Sequence, residues 1–449
     1  MKKFSFGLFL ASLFFAVAAE NLFATDYYID SRYGDDKNDG HSPKTAWQQL
    51  EKANQFHFAP GDRVLFARGS EWRGSLKLQS GAEGAVLYYG AYGKGAKPII
   101  MRSVPLSSPA CWQPAGKDLW VSWAAPDFGS SDVGNIILNG KKAAFKKWRK
   151  EDLTDQDDFW YDLKGDHRVY YRSQKNPGDL YIDVEAAVSQ HVVDHSNSSY
   201  VVVDGLDIRY GAAHGFGGGN ASFLTIRNCD ISWIGGGDQY EEGGEGRRTR
   251  FGNGIEFWGE AHNCIVEKNK IWEVYDAALT NQGKEGNTEA DIVYRDNLIW
   301  NCEYSFEYWN GEGSLTKNIL FERNYCFNAG FGWGHVQRPD KNGRCIMMYR
   351  NSANTENFVI RNNVFCNATE SLLRIDPCPE NPGWPAAVMT LDQNCWYNEN
   401  GRVYFKWLKV DYSGAQFNEF RKVSGKEKEG VDQLPEKTLD DLKHWNKVY

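Results

Sequence analysis

One short phrase recurs between Cys229 and Asn398: apolar, any, any, Asn, any, apolar, any, any, Asn. It reads as Val266-Glu267-Lys268-Asn269, Tyr294-Arg295-Asp296-Asn297, Phe321-Glu322-Arg323-Asn324, Ile360-Arg361-Asn362-Asn363 and Leu391-Asp392-Gln393-Asn394, with the second Asn at Asn301, Asn328, Asn367 and Asn398 and Glu273 in its place in the first copy. A degenerate copy, Ile226-Arg227-Asn228-Cys229, puts Cys in the Asn slot. The copies follow one another at 28, 27, 39 and 31 residues. Periods of this length, made of short β-prone runs between turn residues, are the mark of a solenoid whose repeats contact only their neighbours. The runs are short, β-branched and aromatic and lack helical periodicity, so helical and leucine-rich repeats fit poorly. Asn tolerates left-handed backbone geometry, and its amide can bond the Asn of the next coil to form a ladder. The expected fold is all-β: a right-handed parallel β-helix.

The chain has 449 residues, is 41% hydrophobic and holds 17 Trp, enough for one long solenoid with an insertion. Its net charge of −8 argues against a nucleic-acid partner, although a locally basic site could still bind an acidic polysaccharide. Residues 1–19 carry Lys2 and Lys3, an apolar run and small residues at Ala16, Ala18 and Ala19. That pattern predicts a secretory signal peptide rather than a membrane span, so the mature chain is expected to be exported, secreted or periplasmic, without a membrane partner and monomeric. None of the nine cysteines forms a CxxC pair or a zinc-ligand spacing, and Cys326 shares the inward slot of Ile271, Ile299 and Phe365. Mostly free buried thiols are expected, with one bridge among Cys366, Cys378 and Cys395 left open.

Residues 20–106, with the Pro60-Gly61-Asp62 turn, are expected to form an N-terminal cap and the first coils. Residues 107–190 switch to alternating strands and turns such as Leu138-Asn139-Gly140-Lys141, which predicts a small antiparallel β insertion. Coils then run from residue 191 to 399. Residues 400–449, with a helix-like stretch from Thr438 to Trp445, are expected to cap the exposed strand edges of the last coil. The opening Tyr27-Tyr28-Ile29-Asp30-Ser31, the Pro60-Gly61-Asp62-Arg63-Val64-Leu65-Phe66 phrase, Asn139-Gly140-Lys141 and the Asn coils together resemble secreted bacterial β-helix proteins of the pectate-lyase-like superfamily. The resemblance implies a carbohydrate-active protein, and that superfamily contains glycoside hydrolases, polysaccharide lyases and noncatalytic members. The Gly-His-Gly motif of polygalacturonases and the Arg-x-Pro-x-x-Arg motif of pectate lyases are missing from this chain. Fold alone therefore does not name the reaction.

The strand that should follow each Asn pair is rich in functional groups: Gly254 to Glu260, Tyr275 to Gly283, Glu303 to Asn310, Gly332 to Asp340 and Leu372 to Asp376. Alternation on a strand sends Ile255, Phe257 and Phe306 inward and Glu256, Trp258 and Glu307 outward. Rungs ~4.8 Å apart would stack the outward groups into a column. It offers carboxylates at Glu256, Asp276, Glu303 and Glu307, an imidazole at His335, guanidiniums at Arg338 and Arg374, and aromatic faces at Trp258, Tyr308, Trp309 and Trp333. The insertions Gly235 to Asn253 and Trp333 to Arg344 would wall this face. Glycosidases use two carboxyls, ~5–5.5 Å apart for retention and roughly 6.5–9.5 Å apart for inversion. Asp276 and Glu307 on adjacent coils suit the first spacing and are taken as the acid and the base or nucleophile. Glu256 lies two rungs from Glu307 and approaches the second spacing. Glu256 and His335 would complete the site, with Arg338, Arg374 and the aromatic groups as substrate contacts.

The expected substrate is a polysaccharide or oligosaccharide. Hydrolysis leads because carboxylates outnumber basic groups in the column. A lyase abstracting a proton next to a uronic carboxylate, with His335 or an Arg or Lys as base, and a noncatalytic carbohydrate-binding protein are the alternatives. No cofactor is required by the hydrolytic reading. The turn Asp35-Asp36-Lys37-Asn38-Asp39-Gly40 could hold Ca²⁺, although an Asx turn explains the same residues.

Overall fold

A computed structural model describes residues 24–123, 128, 131–242, 247–349, 354–381, 383–399 and 403–434. Residues 1–19 and the stretch from Thr438 to Trp445 lie outside the described residues. The chain winds as a right-handed parallel β-helix whose coils each contribute one strand to three parallel sheets. In one coil the order is Ile265–Glu267, Lys270–Val274 and Ala277–Gly283, and the next coil repeats it with Thr288–Arg295, Leu298–Trp300 and Tyr304–Asn310. We refer to the sheet holding Ala277–Gly283 and Tyr304–Asn310 as the site sheet.

Each sheet sends one column of side chains inward, and the register shows why the apolar positions of the phrase recur. Ile226, Val266, Tyr294, Phe321, Ile360 and Leu391 lie directly above one another. Ile231, Ile271, Ile299, Cys326, Phe365 and Trp396 form the second column. Ile255, Leu279, Phe306, Ile346, Leu373 and Phe405 form the third. All are buried in one continuous core that runs from Ile29 to Phe420. Burying one such side chain contributes about 1.5–3 kcal/mol, so the repeat of apolar slots is the main source of stability. Cys326 fills a core slot, and all nine cysteines are free thiols.

The Asn ladder forms as the phrase predicts, but the two Asn positions divide the work. The amide of Asn269 donates to Asn297 Oδ1 at 3.0 Å, Asn297 to Asn324 at 3.0 Å, Asn324 to Asn363 at 3.1 Å and Asn363 to Asn394 at 2.9 Å. The ladder starts at the Cys229 N–H, 2.9 Å from Asn269 Oδ1, and ends on Glu427, which accepts from the Asn394 amide at 2.7 Å. Left-handed geometry belongs to the residue before each ladder Asn, namely Lys268, Asp296, Arg323, Asn362 and Gln393. It returns at the second position, in Glu273, Asn301, Asn328 and Asn367. One Asn thus satisfies buried backbone groups while the other turns the chain.

Three insertions leave the solenoid at the same corner, where the second sheet passes to the site sheet. Residues 103 to 188, between Ile99–Met101 and Val193–Asp194, build two small sheets that are antiparallel apart from the short Phe145–Lys146 pairing. They enclose their own core around Trp112, Ile136, Phe159 and Tyr171. The second insertion is the hairpin Gly237–Glu242 and Arg247–Phe251. The third contains the short helix Trp333–Gln337. The necks of the last two are pinched: a Cβ on Gly252 would lie 2.1 Å from Gly235 Cα, and one on Gly343 would lie 2.3 Å from Gly330 Cα. Glycine is required there because the backbones themselves touch.

The helix Leu50–Gln55 and the aromatic group Tyr27, Trp47, Phe56 and Phe58 close the N-terminal end. The strands Val403–Trp407 and Val410–Ser413 and the helix Phe417–Ser424 close the other, with Phe405 stacked on Phe420 at 3.9 Å. No helix among the described residues is long and apolar enough to cross a membrane.

Candidate active site

A cleft of about 540 Å³ lies on the outward face of the site sheet, against the corner that carries the insertions. Its floor holds Glu256, Trp258, Gln282 and Glu307, the hairpin contributes Tyr240, Arg250 and Phe251, and the third insertion contributes Arg338 and Asp340. Alternation explains the floor: Ile255 and Phe257 are in the core, as are Phe306 and Tyr308, so Glu256, Trp258, Glu307 and Trp309 face out. Tyr308 was expected as a substrate contact on this face. It points inward instead, fully buried, and its hydroxyl meets Thr355 Oγ1 at 2.6 Å. A residue two places after Phe306 shares its side of the strand.

Glu256 and Glu307 stand in one register column with Thr280 between them. Two rungs separate their strands by ~10 Å. Their surroundings differ in kind. Glu256 Oε2 lies 2.9 Å from His214 Nε2, and Asn253 Nδ2 donates to Oε1 at 3.3 Å. His214 Nδ1 accepts the Asn253 backbone N–H at 2.9 Å, so Nε2 is the nitrogen that carries a proton and donates to Glu256. Burial pulls the Glu256 pKa upward, but His214 and Asn253 outweigh it and hold the carboxyl below its usual value. Glu256 is therefore a carboxylate.

Glu307 lies in the opposite state. Burial, reinforced by the negative charge of Asp276 and opposed by Arg338, raises its pKa well above the usual carboxyl value. Its Oε2 is buried without a hydrogen-bond partner among the described residues. Two carboxyls on one face, one pushed up and one held down, are the arrangement in which an acid and a base can be told apart.

Asp276 sits in the corner just before Ala277–Gly283, and its Oδ1 is 2.9 Å from Arg338 Nη1. Burial raises its pKa against the pull of Arg338. Arg338 also donates to the Tyr275 carbonyl at 3.2 Å and through Nε and Nη2 to Asp340 at 3.3 Å each. Expected as a substrate contact, it lines the cleft and is paired there with the protein's own acids.

Trp258 is 37% exposed and stacks on Trp309 with ring centres 5.8 Å apart and planes 7° from parallel. Trp309 is half-buried and does not line the cleft, so the exposed face of Trp258 beside the carboxyls is the apolar surface suited to the C–H face of a sugar ring.

Three other expected site residues lie elsewhere. His335 is on the helix Trp333–Gln337, and its Nδ1 is 3.0 Å from Glu303, whose carboxylate also accepts the Asn342 N–H at 2.9 Å. Counting along the Asn phrase reached His335 because the insertion adds residues before the strand; the register partner of Glu307 is Met347. Trp333 is buried against Tyr275 and anchored by Glu273, its Nε1 donating to the Glu273 carbonyl at 2.9 Å. Arg374 pairs with Asp376 at 2.7 Å and is not among the residues lining the cleft.

The sequence reading missed His214, Asn253, Gln282, Asp340 and Tyr349, which all line the cleft. His214 sits in Ala212-Ala213-His214-Gly215, upstream of the first clear phrase. Asn253, between two glycines, reads as loop. Tyr349 directly follows the strand Arg344–Met348, where no repeat signal extends. Of the Arg cluster in the hairpin, Arg248 pairs with Asp238 and Arg250 is buried. The side chain of Arg247 and those of Glu241, Glu242 and Glu245 lie outside the described residues.

Among the described residues no group of three or more His, Cys, Asp or Glu is placed to hold a metal ion. In the acidic turn, Asp35 accepts the Lys37 N–H at 2.9 Å and Asp39 the His41 N–H at 3.0 Å, each two residues on as an Asx turn requires, while Asp36 accepts the Gln48 N–H at 2.8 Å from the following segment.

No family model matches the sequence. The curated lacto-N-biosidase of Bifidobacterium longum subsp. longum is 37% identical over 83 residues, which is 17% of this chain and 5% of that protein, so the match spans a small part of either. Among solved structures, XylC with xylose superposes with a TM-score of 0.53 at 12% identity, covering 85% of this chain and 66% of that one, just under two thirds. A structure described as a glycoside hydrolase gives a TM-score of 0.53 at 10% identity, covering 86% of this chain and 95% of that one. These likenesses show the fold, and the resemblance to pectate-lyase-like β-helix proteins expected from the sequence holds at that level.

Proposed function

We propose that this protein is an exported glycoside hydrolase in which Glu307 is the general acid and Glu256 the general base, acting with inversion. The observation that carries the reading is the pair itself: Glu307 and Glu256 in one register column of the site sheet, two rungs apart, with burial raising the Glu307 pKa and His214 holding that of Glu256 down. The strand separation of ~10 Å is close to the roughly 6.5–9.5 Å between carboxyl groups that leaves room for a water beside the sugar. Glu307 gives its proton to the glycosidic oxygen as the C–O bond breaks. Glu256 takes a proton from the water that attacks the anomeric carbon on the opposite face.

Asp276 was the expected partner of Glu307, at the shorter spacing of a retaining enzyme. Its bond to Arg338 and its corner position favour another role: its charge raises the Glu307 pKa and so keeps the acid protonated. The names of the lacto-N-biosidase and glycoside hydrolase relatives agree with a glycan substrate. Export rests on the leader pattern of residues 1–19.

Purified protein incubated with a panel of neutral and uronic-acid glycans, read by reducing-end release and by ultraviolet absorbance, tests the reaction class. New reducing ends without absorbance are expected. A rise in absorbance would mark the unsaturated product of a lyase and overturn the proposal.

A further inference from the structure

We infer that the sugar held over Glu256 and Glu307 is uncharged, an inference that rests on the hydrolase reading and narrows its substrate class. Among the described residues lining the cleft, the positively charged or ionisable nitrogen groups are His191, His214, Arg250 and Arg338. Three of them are already committed and His191 is uncharged. All three Arg250 nitrogens donate inside the protein: Nε to the Gly236 carbonyl at 2.7 Å, Nη1 to Gln337 Oε1 at 2.9 Å and Nη2 to the Gly134 carbonyl at 2.8 Å. Arg338 faces Asp276 at 2.9 Å and Asp340 at 3.3 Å, with Glu303 at 4.0 Å. His214 is divided between Glu256 and the Asn253 backbone. His191, stacked on His214 at 5.0 Å, is kept neutral by burial, its pKa pushed down to about 4.

Recognition of a sugar carboxylate calls for a free bidentate guanidinium or a spare ammonium. This cleft instead sets the acidic side chains of Glu256, Asp276 and Asp340 beside two buried guanidiniums whose every nitrogen already donates within the protein. A uronate would place a further anion among them, and like charges brought together at a desolvated site cost several kcal/mol. The same shortage disfavours β-elimination, which needs a cation to neutralise the uronate carboxylate before its α-proton can leave. A neutral pyranoside requires none of this. It can lay a C–H face on Trp258 and exchange hydroxyl hydrogen bonds with Gln282 and Tyr349.

The test is calorimetric titration of the full-length Glu307→Gln variant at low salt with neutral tetrasaccharides (xylo-, cello-, galacto- and lacto-N-series) and with galacturonate and mannuronate tetramers. At least one neutral series is expected to bind, with affinity lost in Glu307→Gln/Trp258→Ala, and the uronates are expected to bind at least about tenfold more weakly. Equal or tighter uronate binding overturns the inference, as does binding of neither class. If a neutral ligand binds but the wild type releases no reducing ends from it, the hydrolase reading fails while the charge inference stands. If a uronate binds more tightly and the wild type releases reducing ends from it, the reverse holds.

Discussion

Glu307→Gln is expected to lower kcat by about 10³-fold on any glycan the wild type cleaves, with KM little changed, because a general acid acts in the transition state and not in binding. Glutamine keeps the shape but cannot deliver a proton. The same substitution has a second effect whose sign follows from the environment. Burial, then the charge of Asp276, raises the native pKa of Glu307 well above that of an unfolded carboxyl, ~4.3. The folded protein therefore keeps a proton that the unfolded chain has released. The stability contributed by Glu307 is fully present below the unfolded pKa and is lost as pH rises through the native one. Glutamine carries no such proton, so the variant should gain stability over the wild type as pH increases, in denaturant melts across the acid-to-alkaline range. A variant that loses activity and is also less stable at alkaline pH would show that Glu307 is a structural carboxylate, not a buried acid. On the wild type, kcat/KM should fall on the alkaline side as Glu307 loses its proton, above the range of an ordinary carboxyl.

Asn324→Ala is expected to destabilise the fold by about 4 kcal/mol, far beyond a surface substitution. The Asn324 amide donates to Asn363 Oδ1 at 3.1 Å and to the Tyr294 carbonyl at 3.0 Å, while its Oδ1 accepts the Asn297 N–H and Asn297 Nδ2, both at 3.0 Å. Alanine deletes all four bonds and leaves a buried backbone N–H and a buried carbonyl unpaired, each costing about 1–3 kcal/mol. Asn328 provides the contrast. It holds a φ of 53° at the turn, so Asn328→Ala should cost about 1 kcal/mol, the price of left-handed backbone without Gly or Asn. Equal losses at the two positions in urea unfolding would contradict the division of labour between ladder and turn.

The fold was legible because a solenoid writes its architecture locally. Each inward slot, from Val266 to Leu391 in one column, must be apolar, and each ladder slot must be Asn, so the period appears in the letters themselves. The site was legible only in part. Parity along a strand placed Glu256, Trp258, Glu307 and Trp309 on the outer face, and the same rule places Tyr308 inside. Residues in the insertions escape any such rule. Trp333, His335 and Arg338 read as a strand because their spacing matched the phrase, whereas the corner they occupy forms a helix and a turn. His214 and Asn253 meet Glu256 from other coils or from a glycine-flanked loop, and contacts between coils leave no trace in the spacing. The proposed partner of Glu307 differs from the expected one for that reason: Asp276 is nearer in the sequence pattern, but Glu256 is the carboxyl whose pKa His214 and Asn253 hold down.

The choice between those partners decides the stereochemistry, and proton NMR of the first-formed anomer during hydrolysis reads it directly. Glu307 acting with Glu256 predicts that the product appears with inverted anomeric configuration. Net retention would contradict this account and return the role of second carboxyl to Asp276 at the shorter spacing.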